Sequence, residues 1–251
     1  MLRGKSAVIT GSTSGIGLAI ARKMAAKGVN IMLNGFGDAD EIEQVRSSLS
    51  QDCEVEVHYN GADMTKPAEI RGLIAATAEK LGSLDILVNN VGAQFVNDIE
   101  TYPDEEWERV RFLCLDTVFH GTKAAIPHMK KNKWGRIINT ASAHGLVASP
   151  YKSAYVAAKH GILGFTKCAA MELAGDGITV NAICPGYVWT PHVERQMEDT
   201  KRMYDMDEQD VKEKVMLKGH AIKEFIQPEE VGALAAFLAS EDAKNITGSA
   251  Q

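Results

Sequence analysis

The sequence is poor in cysteine, proline, aromatic residues and long apolar runs. Its four cysteines, Cys53, Cys114, Cys168 and Cys184, form no C-x-x-C pair. No histidine stands at a zinc-like spacing from them, so neither a disulfide framework nor a structural zinc site is indicated, and no metal is expected. They read as small apolar side chains in a reducing compartment. No apolar stretch approaches the ~18 residues that a membrane span requires. The opening Met1-Leu2-Arg3-Gly4-Lys5 runs straight into a strand pattern, so no signal peptide is expected. Basic clusters are also scarce. The net charge is -6, and the one run that stands out, Lys130-Lys131-Asn132-Lys133 followed by Arg136, falls where cations complement a helix end. No nucleic acid and no membrane surface is therefore expected as a partner. A soluble, cytoplasmic protein is the expectation, of ordinary composition, 45% hydrophobic and 24% charged, whose 251 residues suit one domain with a large core.

Strand and helix patterns alternate along it. An apolar run from Ser6 to Thr10 ends at Gly11, a helical pattern spans Ile16 to Lys27, and a second apolar run covers Val29 to Leu33. A polar helix is expected over Ala39 to Leu49, a strand over Glu54 to His58, and a helix over Pro67 to Leu81. Leu84 to Asn90 has almost no polar face, as a central parallel strand requires. A long helix from Asp104 to Met129, a strand from Arg136 to Ala141, a helix from Ser153 to Leu173 and a strand from Thr179 to Ile183 follow. The segment from Thr190 to about Gly219 is polar and rich in methionine and reads as a substrate lid. A last helix starts at Pro228 and ends near Ala239. This order predicts an α/β chain, a single Rossmann-like domain with a doubly wound parallel sheet and helices on both faces.

The loop Thr10-Gly11-Ser12-Thr13-Ser14-Gly15-Ile16-Gly17 joins the first strand to the first helix. Glycines there let backbone N–H groups approach a pyrophosphate that the helix N-terminus also attracts, although a tight turn alone would use them too. The stretch Asn34-Gly35-Phe36-Gly37-Asp38 at the end of the second strand carries no basic residue. A 2′-phosphate has no cation there, which favours NAD over NADP. Either the Phe36 backbone or Asp38 would read the ribose, and Asp38 could equally cap the following helix.

Tyr155 and Lys159 lie four positions apart on a predicted helix and share a face. Ser142 lies at the carboxyl end of a strand, where such sheets bind ligands. A phenol is a poor base at neutral pH, but an adjacent ammonium stabilises the phenolate, and a serine hydroxyl can hold a substrate oxygen whose charge changes. By itself a Tyr-x-x-x-Lys pair is more often a surface pair. Here it follows a glycine loop and the Ser142 strand, which points to general acid–base chemistry.

Thr10 to Gly17, Asn89-Asn90-Val91-Gly92, Ser142, Tyr155-Val156-Ala157-Ala158-Lys159 and Pro185-Gly186 are together similar to the motifs of the short-chain dehydrogenase/reductase family, over nearly the whole chain. Within it, Leu33 to Asp38, Ala141 to Ser149 and Lys152-Ser153-Ala154-Tyr155 resemble the bacterial D-3-hydroxybutyrate dehydrogenases. The resemblance implies hydride exchange with NAD, with Ser142, Tyr155 and Lys159 catalytic. It implies a cofactor cleft made by Gly11, Thr13, Ser14, Gly15, Ile16, Gly17, Phe36, Asn90 and Gly92. Asp63 would contact the adenine with Met64 beside it, Lys159 would hold the nicotinamide ribose, and Pro185, Val188 and Thr190 would flank the nicotinamide. Gln94, His144, Lys152 and Gln196 would hold the substrate carboxylate, beside Ser142, Tyr155 and Tyr187. A homotetramer that buries two long helices between subunits is also implied. The alternatives are the same chemistry on another short 3-keto acid or a secondary alcohol, and a dinucleotide-binding protein with little turnover.

The chain departs from the family at several places. Cys114 stands where the family has a helix asparagine that anchors a water near the catalytic lysine, which implies slower turnover with retained cofactor binding. Val91 replaces an alanine, Ala93 and Phe95 differ, and Tyr187 replaces a tryptophan, so the pocket is expected to differ in shape. The chain ends at Gln251, soon after Ile246-Thr247-Gly248, where the family continues into another strand, and that strand is expected to be missing.

Overall fold

The computed structural model describes residues 2–251, except for the side chains at positions 192, 199 and 203. The strands are β1 (Ser6–Ile9), β2 (Asn30–Asn34), β3 (Val57–Asn60), β4 (Ile86–Asn89), β5 (Gly135–Thr140) and β6 (Ile178–Ile183). They form one parallel sheet in the order β3-β2-β1-β4-β5-β6. Every residue of β1, β4, β5 and β6 is buried, because helices cover both faces. Alternate residues of a strand point to opposite faces, so β1 divides the core. Ile9 packs with Ile31, Leu33, Ile20, Met24 and Val231 on one side, and Val8 packs with Met32, Ile70, Leu73, Leu87 and Ile137 on the other. The doubly wound architecture expected from the sequence is present.

The helices are α1 (Gly15–Ala25), α2 (Ala39–Cys53), α3 (Pro67–Lys80), α4 (Asp104–Arg111), α5 (Thr117–Asn132), α6 (Ser153–Leu173), α7 (Pro191–Tyr204), the single turn α8 (Glu208–Asp210) and α9 (Pro228–Leu238). Helix α6 has the bounds its pattern predicts. Most other bounds shift by one to three residues, and the larger departures are these. Helix α2 continues to Cys53 and stops where Glu54 takes a left-handed conformation, with φ 53°, so β3 begins at Val57 rather than Glu54. The long helix expected from Asp104 is interrupted by a π-helical turn, Phe112–Asp116, between α4 and α5. One inserted residue leaves no signature in a hydrophobic period read over so few positions. The polar lid segment folds into α7, α8 and a π-helical turn, Val211–Met216. It has an apolar centre of its own, Val193, Met197, Val211, Met216 and Leu217, closed by Tyr187, Trp189 and Phe225.

The last residues run beside β6. The Gly248 amide donates to the Val180 carbonyl at 2.7 Å, and Gln251 exchanges bonds with Ala182 and Cys184 at 3.0 and 2.7 Å. Ala182 and Ala250 form a parallel bridge. The chain thus begins to extend the sheet beyond β6. No helix among the described residues is long and apolar enough to cross a membrane.

The crossover after β3 returns to the far side of β1, so the carboxyl ends of β1 and β4 flank the point where the winding reverses, and ligands of such sheets bind there. Near that edge, the Asp38 carboxylate accepts from the amides of Asp40 and Glu41 at 2.9 and 3.1 Å. Of the two roles open to it, the helix cap is present, and both bonds fall on Oδ1. Asp38→Ala is expected to lower the unfolding free energy by about 1 kcal/mol, measured by urea denaturation, since it leaves those amides without an acceptor.

Candidate active site

The site grows from the carboxyl ends of β1, β4 and β5. After β1, the Thr10 hydroxyl accepts from the amides of Asn90 and Val91 at 2.9 and 3.1 Å. The Asn90 side chain donates back to the carbonyls of Thr10 and Gly11 at 3.0 and 3.1 Å. The glycine loop and the loop after β4 are therefore stitched together. A Cβ at position 17 would sit 2.1 Å from the Gly11 carbonyl oxygen, which no relaxation of a side chain relieves. Gly17 thus serves close packing of α1 on the loop. Ser14 makes no side-chain cap bond, and the first turn of α1 carries no acid. The amides at that helix start are open to an anionic group, so the residues present fit a pyrophosphate.

After β5, Ser142 is buried and its hydroxyl accepts from the His144 amide at 3.1 Å. On α6, Lys159 is buried, and its ammonium donates to the Thr140 carbonyl at 2.6 Å and lies 5.4 Å from the centre of the Tyr155 ring. A carbonyl rather than a carboxylate holds the ammonium, so its charge is not neutralised there. The His144 ring meets the Tyr155 ring edge-on at 6.2 Å.

A cavity of about 270 Å³ opens between these groups. It brings together Ile16, Asn90, Gly92, Gln94, Ser142, His144, Lys152, Tyr155, Lys159, Pro185, Tyr187, Val188, Thr190 and Gln196, all expected from the sequence. None of its lining residues is Asp or Glu. Lys152, 7% exposed, lines it from the start of α6; its ammonium makes no hydrogen bond or ion pair among the described residues and lies 5.8 Å from the centre of the Tyr187 ring. Burial pushes the Lys152 ammonium below the usual lysine range. Burial, and then the Lys152 charge, lowers His144 from the ordinary imidazole value. Burial also pushes the Tyr187 phenol up.

Other expected residues lie outside this cavity. Gly11, Thr13, Ser14, Gly15 and Gly17 belong to the loop beside it, where the Thr13 hydroxyl donates to the Phe36 carbonyl at 2.9 Å. The Phe36 ring is 68% exposed, an open apolar face beside that loop. The Asp63 carboxylate accepts from the amide and hydroxyl of Thr65 at 2.9 and 2.8 Å, and the Met64 side chain is buried in the core. Thr140 and His220 also line the cavity, and neither carries a sequence signal. Thr140 is placed there through its backbone carbonyl, which no side-chain motif signals, and His220 follows segment 190–219 in a stretch with no motif.

Cys114 lies in the π-helical turn and is fully buried. Its thiol donates to the Ala93 carbonyl at 3.2 Å and accepts from the Ala93 amide at 3.4 Å. It therefore satisfies the backbone of the loop next to Gly92, where a Cβ would lie 3.5 Å from the sulfur and 3.7 Å from the Lys159 ammonium. Cys114→Ala is expected to cost about 1–3 kcal/mol of stability by thermal or urea unfolding, because both Ala93 groups lose a partner. Cys114→Asn, with stronger donor and acceptor groups, is expected to raise kcat while the dissociation constant for NADH stays unchanged. An unaltered rate would show that the thiol already suffices.

The short chain dehydrogenase family model matches residues 5–201. The chain is 57% identical to the D-beta-hydroxybutyrate dehydrogenase of Rhizobium meliloti, over 97% of this chain and 95% of that one. It is 50% identical to the D-beta-hydroxybutyrate dehydrogenase of Cupriavidus necator, over 99% and 95%. Among solved structures, an actinorhodin polyketide ketoreductase with NADPH superposes with a TM-score of 0.92 at 33% identity, over 100% of this chain and 96% of that one. An NAD+-bound xylitol dehydrogenase superposes with a TM-score of 0.91 at 29% identity, over 99% and 97%. The chain belongs to the short-chain dehydrogenase/reductase family.

Proposed function

We propose that this protein is an NAD-dependent dehydrogenase that interconverts (R)-3-hydroxybutyrate and acetoacetate. The observation that carries the reading is Lys152, a buried ammonium with no acidic partner, facing a cavity that contains Tyr155 and Lys159 and no carboxylate. A buried charge without a counterion is costly, and a substrate carboxylate would supply one. Two relatives at 50% identity or more carry the name D-beta-hydroxybutyrate dehydrogenase, which agrees with that chemistry.

When bound, NAD would accept the hydride from the alcohol carbon. Tyr155 would take the hydroxyl proton on oxidation and return it on reduction. Lys159, placed beside the Tyr155 ring by the Thr140 carbonyl, would stabilise the phenolate and hold the nicotinamide ribose. The Ser142 oxygen already accepts from His144, so its own proton is free to donate to the substrate oxygen. Lys152 would carry most of the carboxylate's charge, with Gln94, His144 and Gln196 as further polar contacts and Tyr187 as an apolar wall. His144, lowered by burial and by Lys152, would serve as a neutral partner at neutral pH.

The glycine loop, Phe36, Asn90 and Gly92 would hold the dinucleotide, with Asp63 and Met64 at the adenine end and Pro185, Val188 and Thr190 at the nicotinamide. The stretch from Asn34 to Asp38 offers no cation for a 2′-phosphate and one acid against it, which supports NAD over NADP. Segment 190–219 would act as the lid that brings Gln196 inward.

The first test is oxidation of NADH by acetoacetate, followed by absorbance and repeated with NADPH. Turnover is expected with NADH, and much less with NADPH. Failure with acetoacetate, alongside turnover of a longer keto acid, would overturn the substrate assignment. Tyr155→Phe is expected to lower kcat by about 10³-fold. Lys152→Met is expected to lower kcat/KM for acetoacetate by about 10²-fold. Because Lys152 sits below the usual lysine range and binds anions only when protonated, kcat/KM should fall with rising pH earlier than an ordinary lysine allows. In Lys152→Arg, which stays charged, that early fall should disappear.

A homotetramer is the assembly proposed. Phe119 on α5 and Met171 on α6 are 45% and 85% exposed, large apolar side chains on the two long helices that would pack between subunits. Light scattering is expected to report four copies, and a monomer would overturn this.

A further inference from the structure

We infer that His220 is a further substrate-binding residue, carried by the lid, which donates a hydrogen bond to the substrate's carboxylate. The inference rests on the keto-acid reading above. His220 lies between the π-helical turn Val211–Met216 and the bridge that pairs Ile226 with Val188. Its amide donates to the Leu217 carbonyl at 3.0 Å. The Lys223 ammonium clamps the same turn from outside, donating to the carbonyls of Leu217 and Lys218 at 3.0 and 2.9 Å. Leu217 and Met216 are in turn buried in the lid's apolar centre. The position of the ring is therefore tied to the packing of the lid.

The ring reaches from the lid into the cavity that holds Lys152, His144, Gln94 and Gln196. It leans on the Tyr187 ring, with centres 5.9 Å apart and planes inclined by 36°. It also rests on the backbone at Gly186. A Cβ at that position would come within 2.8 Å of the imidazole Cε1 and 3.1 Å of Nε2. The glycine after Pro185 thus leaves the space that the imidazole fills.

Packing explains where the ring sits but leaves its nitrogens unused. Among the described residues, neither makes a hydrogen bond, although the residue is partly buried. No acid lines the cavity to accept from it. A carboxylate bound against Lys152 at the start of α6 would give it an acceptor. The same anion would then join the rigid sheet and helix side of the cavity to the lid. Binding of the acid would favour the closed lid, and a neutral ketone of equal size would lack that link.

The test compares acetoacetate with acetoacetamide, which has the same carbon chain and no charge, in the wild type, His220→Ala and His220→Gln. Fold and cofactor binding are followed by thermal unfolding and NADH fluorescence. His220→Ala is expected to lower the ratio of kcat/KM for acetoacetate to that for acetoacetamide by about tenfold, mainly through KM for acetoacetate. His220→Gln, which keeps a donor, is expected to restore most of that ratio. Equal losses on both substrates, or no loss on acetoacetate, would overturn the role of His220. A wild type inert toward acetoacetate would instead overturn the substrate reading, and the proposal with it.

Discussion

The hydrogen bond from the Lys159 ammonium to the Thr140 carbonyl, 2.6 Å long and buried, sets the arrangement on which the site depends. It fixes α6 against the end of β5 and so places Tyr155, one turn earlier on the helix, over the cavity. The choice of acceptor matters as much as the bond. A carboxylate would neutralise the ammonium, whereas a carbonyl holds it and leaves its field acting on its surroundings. Lys152, in the same cavity wall, follows the same logic, with the Tyr187 ring beside it and no acidic partner among the described residues. The chain as a whole is acidic, at -6, yet the cavity has two lysines and no acid. Two cations without an acid beside them make such a space favourable to an anion.

The sheet supplies the rigid frame for this arrangement. Reversal of the winding between β1 and β4 leaves a crevice that the chain closes at its floor with a small set of polar bonds. Thr10 and Asn90 tie the two loops to each other, and the close contact at Gly17 keeps α1 hard against the first loop. Deeper in the sheet, Asn89, Asn139 and Thr166 form a buried chain at 2.9 Å per step, linking β4, β5 and α6. Buried amides bonded in this way specify one register and one helix position, because a slip would leave them unsatisfied. The segment 190–219 contrasts with this frame. It has its own apolar centre and meets the rest of the domain through Tyr187, Trp189 and the Val188–Ile226 bridge.

Much of this protein is legible in the sequence because it is local. The alternation of apolar runs and helical patterns gives a doubly wound sheet, since a strand buried on both faces and a helix buried on one leave different periods. The glycine loop, the Tyr155–Lys159 spacing and the bounds of α6 follow from contacts within a few residues. The tertiary structure alone decided what depends on distant segments meeting. That Asp38 caps α2 is seen only in the geometry of that helix. The π-helical turn that lets Cys114 bond Ala93, the carbonyl of Thr140 beneath Lys159, the isolation of Lys152 from any acid, and the entry of His220 from the lid leave no mark in a linear pattern. The contacts among them join residues 19 to 34 positions apart, and the energy of such contacts is set by burial and distance rather than by sequence spacing.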